Sequence, residues 1–550
     1  MKYVLNSDSR LFQYAYGSLV DLGKLIRWEN KLSNYEQKSI AATFATQLEK
    51  LKSQSPDFSN LLTVLSFFDP ESIPLHMIIK GAEELRSQSA SSSNLSGTIP
   101  INGSTRIDSA QLEALTTLIC SPVGFHEAIL QLQRLCLVGY CRKSDTSVLR
   151  IHDLIQIAIQ ESARREKTHY GWFHVATALS CNAFRHVKDP SSSECWAQCE
   201  MISPHIHSLT KWNDEHGAGN SELDKANTMI AKYLRSRWRY SEAEMLYRQV
   251  LINREKLLEL EDRDTLRTVE GLAITLQEQG QYDEAETLYG RVLEGFTKHL
   301  GLNHRDTLLQ VENLAAVYCK QGRYNEAETQ YRRALAGKEK KLGRIHRDTL
   351  GTVNNLAIVH GLQKRYKAAE MLYERVLTGR EELLGPEHQD TLAAVHNLAI
   401  VFRQQGRYGE AETMFKRVLK GNKKLGPDHP DNVQTMNNLA NTYLSQGRYG
   451  EAEEIYKEAL TRNENVLGPK NPNTLDIARN LANTYNSQGR DAEAETLYRQ
   501  VLAGREEVLG RKHPTTLRTV RRLYKIYRKR GQQEEADNLR NKYPLAFDAQ

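Results

Sequence analysis

The chain has 550 residues, room for three or four domains at about 150 residues each, and needs no disulfide or metal staple to bury a core. It is 40% hydrophobic and 26% charged with a mean hydropathy of −0.58, and its longest strongly apolar run, Leu61 to Phe68, falls far short of the ~20 residues of a membrane span. The net charge of +6, from 74 basic and 68 acidic residues, is too even to argue for nucleic acid, and seven cysteines, an odd and sparse count, fit a reducing cytosol.

The first twenty residues lack a basic start, an apolar stretch and a small-residue cleavage site, so secretion is not expected and the expected location is cytoplasmic. Residues 39–51, SIAATFATQLEKL, read as one short helix. LLTVLSFFDPESIPLHMI (61–78) reads as an apolar helix, an acidic turn, and Pro74 suited to a helix start. Phe125 to Leu135 reads as an amphipathic helix. LVGYCRK and SVLRIH read as two short strands around Ser144-Asp145-Thr146, and HDLIQIAIQESARRE as a further helix. Helices followed by a hairpin suggest a winged-helix module over 58–168. DNA binding is not expected of it, because it offers no unusually basic recognition helix. Residues 87–109 are Ser-rich and poor in apolar residues, and read as a disordered insert. The sequons at Asn94 and Asn102 carry no meaning in a cytosolic protein. Residues 169–221 read as connecting helices.

From about residue 222 the chain repeats. GQYDEAETLY begins at Gly280, GRYNEAETQY at Gly322, KRYKAAEMLY at Lys364, GRYGEAETMF at Gly406, GRYGEAEEIY at Gly447 and GRDAEAETLY at Gly489. WRYSEAEMLY at Trp238 and GQQEEADNLR at Gly531 are degenerate copies. Tyr240, Tyr282, Tyr324, Tyr366 and Tyr408 stand 42 apart; Tyr449 follows at 41, after a one-residue deletion in GNKKLGPDHP. Each unit reads as two helices. In Asp306–Arg347, Asp306 is the expected N-cap, and Leu308, Val311, Leu314, Ala315 and Tyr318 follow at helical spacing. Gly322 ends the helix in the left-handed conformation, and the second helix starts near Asn325. Ala327, Tyr331, Ala334 and Leu335 form the stripe of that helix. Ala327 and its counterparts Ala285, Ala369, Ala411, Ala452 and Ala494 are small where two helices must approach closely. One hairpin cannot bury both faces of its stripe; stacked hairpins can, so a superhelical solenoid is expected.

NLAAVY (313–318), GRYNEAETQYRRAL (322–335) and LGPEHQDTL (384–392), with their copies, resemble the tetratricopeptide repeat in its 42-residue kinesin-light-chain form. The expected fold is mainly α: a tetratricopeptide solenoid over 222–541, with seven units, a C-terminal capping unit and a tail at 542–550, behind a small helical and winged-helix domain. With SIAATFATQLEKL, LLTVLSFFDPESIP (61–74), LRIHDLIQ (149–156) and CEMISPHIHSL (199–209), the whole resembles the region after the nucleotide-binding core of fungal NB-ARC–TPR proteins, NLR-like members of the STAND NTPases. On that resemblance residues 1–57 are the remnant of a STAND-type helical region. One departure is large. The phosphate loop GxxxxGK[ST] is missing; Gly17-SLVDL-Gly23-Lys24-Leu25 has five spacers, and Leu25 cannot ligate magnesium. ATPase activity is not carried over, and neither an enzyme nor a cofactor is expected.

Cys195, Cys199, His205 and His207 give C-x3-C-x5-H-x-H, which could hold zinc on paper, but two cysteines one helical turn apart are more simply a buried pair, and no metal is assigned. His304, His346, His388, His429 and His513 recur in the inter-repeat loop about 10 Å or more apart, too far to share a metal, and are assigned to the turn. No nucleophile set stands out. The candidate site is the groove lined by the first helix of each pair. Asn313, Asn355, Asn397, Asn438 and Asn480 recur there, and an amide that donates and accepts can pair with the backbone of an extended peptide. The preceding position adds Glu312, Asn354, His396, Asn437 and Arg479, which would set specificity. The alternative is that the asparagines tie adjacent helices together. In the last unit Arg518, Arg522, Lys525, Arg521, Arg528 and Lys529 crowd one helix, either as a solvated cap or as a site for an acidic partner.

The leading expectation is a non-enzymatic scaffold binding a protein or peptide, as the sensor arm of an NLR-like STAND protein. A kinesin-light-chain-like cargo adapter is the alternative, weakened by the lack of sustained N-terminal heptads; a subunit of a split NTPase is the third. Membrane and nucleic acid are not expected partners, and the oligomeric state is open.

Overall fold

A computed structural model describes residues 35–91, 107–143, 146–217, 220–257, 262–422, 426 and 430–547. The phosphate-loop decoy, both sequons, His429 and most of the Ser-rich insert lie outside the described residues. The chain divides into two compact units, Met1–Gly280 and Gln281–Gln550.

The first unit opens with α1 (Tyr35–Gln54), α2 (Pro56–Leu65), β1 (Ile73–Pro74), α3 (Leu75–Ser91), α4 (Ser109–Cys120) and α5 (Pro122–Arg134). β2 (Gly139–Lys143), β3 (Thr146–Arg150), α6 (Asp153–Arg165), α7 (His169–Arg185) and α8 (Trp196–His216) follow. The sheet is antiparallel in the order β1-β3-β2, with Ile73 opposite Leu149 and Tyr140 also opposite Leu149. The two strands read from the sequence are β2 and β3. Pro74 does not start a helix. It sits on the edge strand, opposite Val148, where a missing N–H costs no ladder bond, and α3 begins one residue later. Ser87–Ser91, read as part of the insert, are the last turn of α3, and α4 was not foreseen.

The apolar run of α2 enters the core: Leu61, Leu62, Val64, Leu65, Phe67 and Phe68 are all buried. The carbonyls freed where α2 ends are taken up from α6: Gln156 Nε2 donates to the Ser66 and Phe68 carbonyls (2.6 and 2.7 Å), and Gln160 Nε2 to Ser66 (2.6 Å). Phe173 stacks on Trp212 with centroids 4.1 Å apart, and Phe67 meets both edge-on. α3 and α7 pack so closely that a Cβ on Gly81 would lie 2.1 Å from the Leu179 carbonyl oxygen. The first repeat pair, α9 (Ser221–Ser236) and α10 (Tyr240–Leu257), joins this core through Leu223, Ile230, Tyr233 and Ala243. The sequence pattern changes near residue 221; the packing runs across it. α11 (Arg263–Gln279) completes the unit.

The second unit holds α12 (Tyr282–Leu300), α13 (Arg305–Lys320), α14 (Tyr324–Leu342), α15 (Arg347–Leu362), α16 (Tyr366–Leu384) and α17 (Gln389–Gln404). It continues with α18 (Tyr408–Gly421), α19 (Pro430–Ser445), α20 (Tyr449–Leu467), α21 (Pro472–Ser487), α22 (Asp491–Leu509), α23 (Pro514–Lys529) and α24 (Gln533–Lys542). First helices (α13, α15, α17, α19, α21, α23) alternate with second helices, as the period requires. Ala327, Ala369, Ala411, Ala452 and Ala494 are fully buried where a pair closes. Gly322 (φ +79°) follows α13 in the left-handed region. α18 is 14 residues long against 19 in α16 and α20, and the one-residue deletion falls just after it. Tyr543 and Ala546 are buried, and Phe547 meets Tyr524 at 4.8 Å, so the tail seals the last hairpin.

The N-cap differs from expectation. Asp306 does not cap α13; His304 does, its Nδ1 accepting from the Asp306 N–H at 3.2 Å. His346 and His388 cap α15 and α17 in the same way (3.1 Å each), and His513 caps α23 (3.3 Å). The recurrent histidine belongs to the turn, and its role there is to satisfy a helix N–H that would otherwise be orphaned. The second helix begins at Tyr324, one residue before Asn325, with no side-chain cap.

Candidate functional site

Three sets of side chains recur along the first-helix face and its edge: an amide ladder, an arginine clamp and a basic terminal stripe. In the ladder, Asn397 Nδ2 donates to Asn354 Oδ1 (3.3 Å), Asn480 Nδ2 to Asn437 Oδ1 (2.9 Å) and Asn438 Nδ2 to His396 Nε2 (3.1 Å). Each bond joins the asparagine of one first helix to the preceding position of the first helix before it. Asn313 donates within its own helix, to Gln310 Oε1 at 3.3 Å. Asn355 is half-buried at the equivalent place. The ladder therefore ties adjacent first helices, and each bridging amide keeps one N–H and lone pairs for a further partner.

The preceding position is more varied. Glu312 accepts from Lys338 Nζ (2.6 Å) and from the Thr352 hydroxyl. Arg479 lies 3.5 Å from Asp476, and its buried Nε has no partner among the described residues. His396 is a joint: Nε2 accepts from Asn438, so Nδ1 carries the proton and donates to Thr435 Oγ1 (3.0 Å). The ring packs edge-on against Phe415. Burial pushes its pKa down to about 4.

The clamp was not foreseen. The arginine after each of the turn glycines Gly322, Gly406, Gly447 and Gly489 reaches back to the glutamate that ends the previous repeat's EAE, or AAE at 368–370: Arg323 to Glu286 (2.6 Å), Arg407 to Glu370 (2.5 Å), Arg448 to Glu412 (2.6 Å) and Arg490 to Glu453 (2.6 Å). Arg365–Glu328 completes the row, and in the last unit Arg530, in the place of Gln488 rather than of Arg490, reaches Glu495. Four of these guanidinium groups also stack on the aromatic ring five residues earlier, Tyr318, Phe402, Tyr443 and Tyr485, at 4.2–4.3 Å. Burial alone would raise Glu412 and Glu453, but bonds from the arginine, a lysine and either Tyr443 or Gln488 outweigh it and hold both near 2. The signal was in the sequence: Arg and Glu recur 37 residues apart, or 36 across the short repeat.

On α23, Arg518, Arg522 and Lys525 are exposed on one face at spacings of four and three, and no ion pair engages them among the described residues. Arg528 is exposed beside them. Arg521 Nε donates to the Ala546 carbonyl, and Lys529 lies 2.8 Å from Asp491, so these two are partly occupied by the chain itself. Cys195, Cys199, His205 and His207 do not converge. Cys199 and His205 are buried, the latter 3.1 Å from the Ser72 carbonyl, and His207 is exposed. Among the described residues no cluster of His, Cys, Asp and Glu could hold a metal, and no helix is long and apolar enough to cross a membrane.

The tetratricopeptide repeat model matches residues 223–298, 264–340, 306–382, 348–424, 420–465, 431–507 and 473–542. No curated protein matches the chain. Among solved structures, a putative kinesin light chain with nearly identical TPR-like repeats from Podosopora anserina is 26% identical over 36% of this chain and 95% of its own, with a TM-score of 0.34. BtubC (BKLC) from P. vanneervenii is 22% identical over 42% of this chain and 90% of its own, TM-score 0.35. The STAND protein with a tetratricopeptide repeat sensor from Pyrococcus horikoshii is 13% identical but covers 94% of this chain and 65% of its own, TM-score 0.52, a likeness of fold. Matched over more than half of its length, the chain belongs to the tetratricopeptide repeat family.

Proposed function

We propose that the chain is a non-catalytic scaffold whose first-helix face takes an extended segment of a partner protein, with an acidic stretch lying over α23. The observation that carries this is the stripe Arg518, Arg522 and Lys525, exposed on one helix face and unpaired among the described residues. The rest of the face supports a graded surface. Ile358 is exposed on α15, and Asn441 and Asn483 hold its register on α19 and α21, accepting from the Tyr456 and Tyr498 hydroxyls; Leu309 is exposed on α13 in the register that Asp476 takes on α21. A ligand fitting that order is apolar at one end and anionic at the other. Asn313, Asn355, Asn397, Asn438 and Asn480 would contribute their remaining N–H and carbonyl groups, and Asn354, His396, Asn437 and Arg479 the sequence preference.

The N-terminal helices and three-stranded sheet are read as a winged-helix module, and the chain as the arm and sensor of a STAND-type protein. A fold likeness spanning both the N-terminal body and the repeats favours this over a kinesin-light-chain-like adapter. A cytoplasmic location fits the thiol-only cysteines. Affinity capture from native cells tests the reading, with wild type compared with Arg518→Ala/Arg522→Ala/Lys525→Ala. Partners lost with the variant, and recovered with purified proteins at low salt, are the expected result. Identical partner lists from both baits would remove α23 from the site.

A further inference from the structure

One repeat corner departs from the four copies at 322, 406, 447 and 489. Where the neighbours read GRYNEAE, GRYGEAE, GRYGEAE and GRDAEAE, residues 364–370 read KRYKAAE. Two lysines are gained and one glutamate is lost. Lys364 takes a backbone position with φ +60° that Gly322, Gly406, Gly447 and Gly489 occupy at φ +76 to +79°, a conformation costly for a residue with a side chain. In those four copies the guanidinium edge holds the glutamate three residues on, with Nε to carboxylate distances of 2.6, 2.7, 2.5 and 2.5 Å at Arg323, Arg407, Arg448 and Arg490. At Arg365 that place is Ala368, and Nη2 turns instead to Glu328 and Gln363. The stacking ring is also replaced: His360 stands where Tyr318, Phe402, Tyr443 and Tyr485 stand, only 3% exposed, its Nδ1 without a partner among the described residues.

Lys364, Lys367 and Ala368 line an open, shallow recess of about 750 Å³, together with Arg365, Glu370, Gln405 and Arg407. The acidic residues nearby are taken: Glu370 by Arg407 (2.5 Å) and Gln405 (2.7 Å), Glu328 by Arg365 and Arg332 (2.9 Å), Glu410 by Arg407 (2.6 Å). Lys364 and Lys367 are exposed and unpaired among the described residues. Exposed Leu362 and Met371 flank them.

We propose that this corner is a second binding site, distinct from the first-helix face, which takes a glutamate or aspartate side chain from an acidic segment of a partner protein. The carboxylate would supply in trans the group that Ala368 does not supply in cis, with Lys364 and Lys367 added. Carboxylate is favoured because the equivalent guanidinium edge binds one in four other repeats.

The test uses the full chain carrying Arg518→Ala, Arg522→Ala and Lys525→Ala, so that α23 does not compete. Its affinity for a fluorescein-labelled Gly–Glu hexapeptide is measured by anisotropy at low salt. The comparison is with the same chain further carrying Lys364→Gly, Lys367→Gly and Ala368→Glu, which writes GRYGEAE, a sequence this array already folds twice. Affinity should fall at least about fivefold in the rewritten chain, and the Gly–Gln hexapeptide should bind neither. Equal affinity in both chains, with the melting curve unchanged, would overturn the site. Binding of a phosphoserine peptide but not of the Gly–Glu peptide would overturn the choice of carboxylate.

Discussion

The N-terminal body and the repeat array bury their residues by different logics. In the body, Phe67, Phe173 and Trp212 meet from three distant stretches of chain around one centre. In the array, each first helix packs on the second helix that follows it, and each tie reaches one repeat back. A defect in the body therefore touches everything around that centre, whereas a defect in the array touches two neighbours. Irregular cores store their order in particular long-range contacts; repeats store it in a rule applied many times.

The largest expected effect tests the body. Phe173→Ala removes a fully buried ring beside Trp212 and should cost about 3–5 kcal/mol, with hydrogen exchange accelerating from α2 through α9 together. If the loss stays within α7, the body is not one cooperative core. In the array, Ala369→Leu should cost about 1–3 kcal/mol by overpacking the α15–α16 contact, with the acceleration confined to neighbouring helices. An unchanged melting curve would mean that Ala369 does not sit at a tight contact.

Acid draws the two regions together. Burial lowers His205 in the body and His396 in the array, each to about 4. Their unfolded value is near 6.5, so the unfolded chain binds these protons first, and stability drains as pH falls from about 6.5 to about 4. His396→Asn, the residue of the equivalent Asn354 and Asn437, should flatten only the array's share, read by exchange in α17 and α19; an unaltered pH profile there would dismiss His396 as its cause. Glu412 and Glu453, held near 2, add a second window: their contribution is complete above the ordinary carboxylate value and is lost as pH falls from about 4.3 to about 2. The smallest effect is expected from Arg448→Lys, which keeps the charge but gives up the fork and the stack on Tyr443; its melting point should move less than that of Ala369→Leu. A larger shift would make the clamp more than an edge tie.

Much of the array was legible because a 42-residue period prints the same environment many times: buried Ala369 and Tyr373 can be read from any copy. His304 belongs to the turn as expected, but the cap itself reads from sequence as Asp306, the commoner cap type recurring at the same spacing; the structure gives it to His304 Nδ1. The clamp was visible as recurring Arg and Glu, but pairing across 37 residues requires knowing which turns face which helices. The body offered one copy of each clue. The hairpin at 139–150 showed through its alternation and turn, whereas α4 and the two-residue β1 lacked a distinctive pattern. For the amide ladder, sequence placed the asparagines in line but could not show that they bond one another.

The ties also bear on how such a chain changes length. Each links one position of a repeat to a fixed position of the repeat before it, so excising residues 430–471 would bring Arg490 to the place of Arg448, facing Glu412, and Asn480 to the place of Asn438, facing His396. Both ties thus survive the loss of a whole repeat, although Ile477 would replace Thr435 beside His396 Nδ1, and the array can drift in length as a gene recombines wherever such local partners match. The corner at 364–370 has no second copy, so any function it carries fixes one repeat in place while the others remain exchangeable.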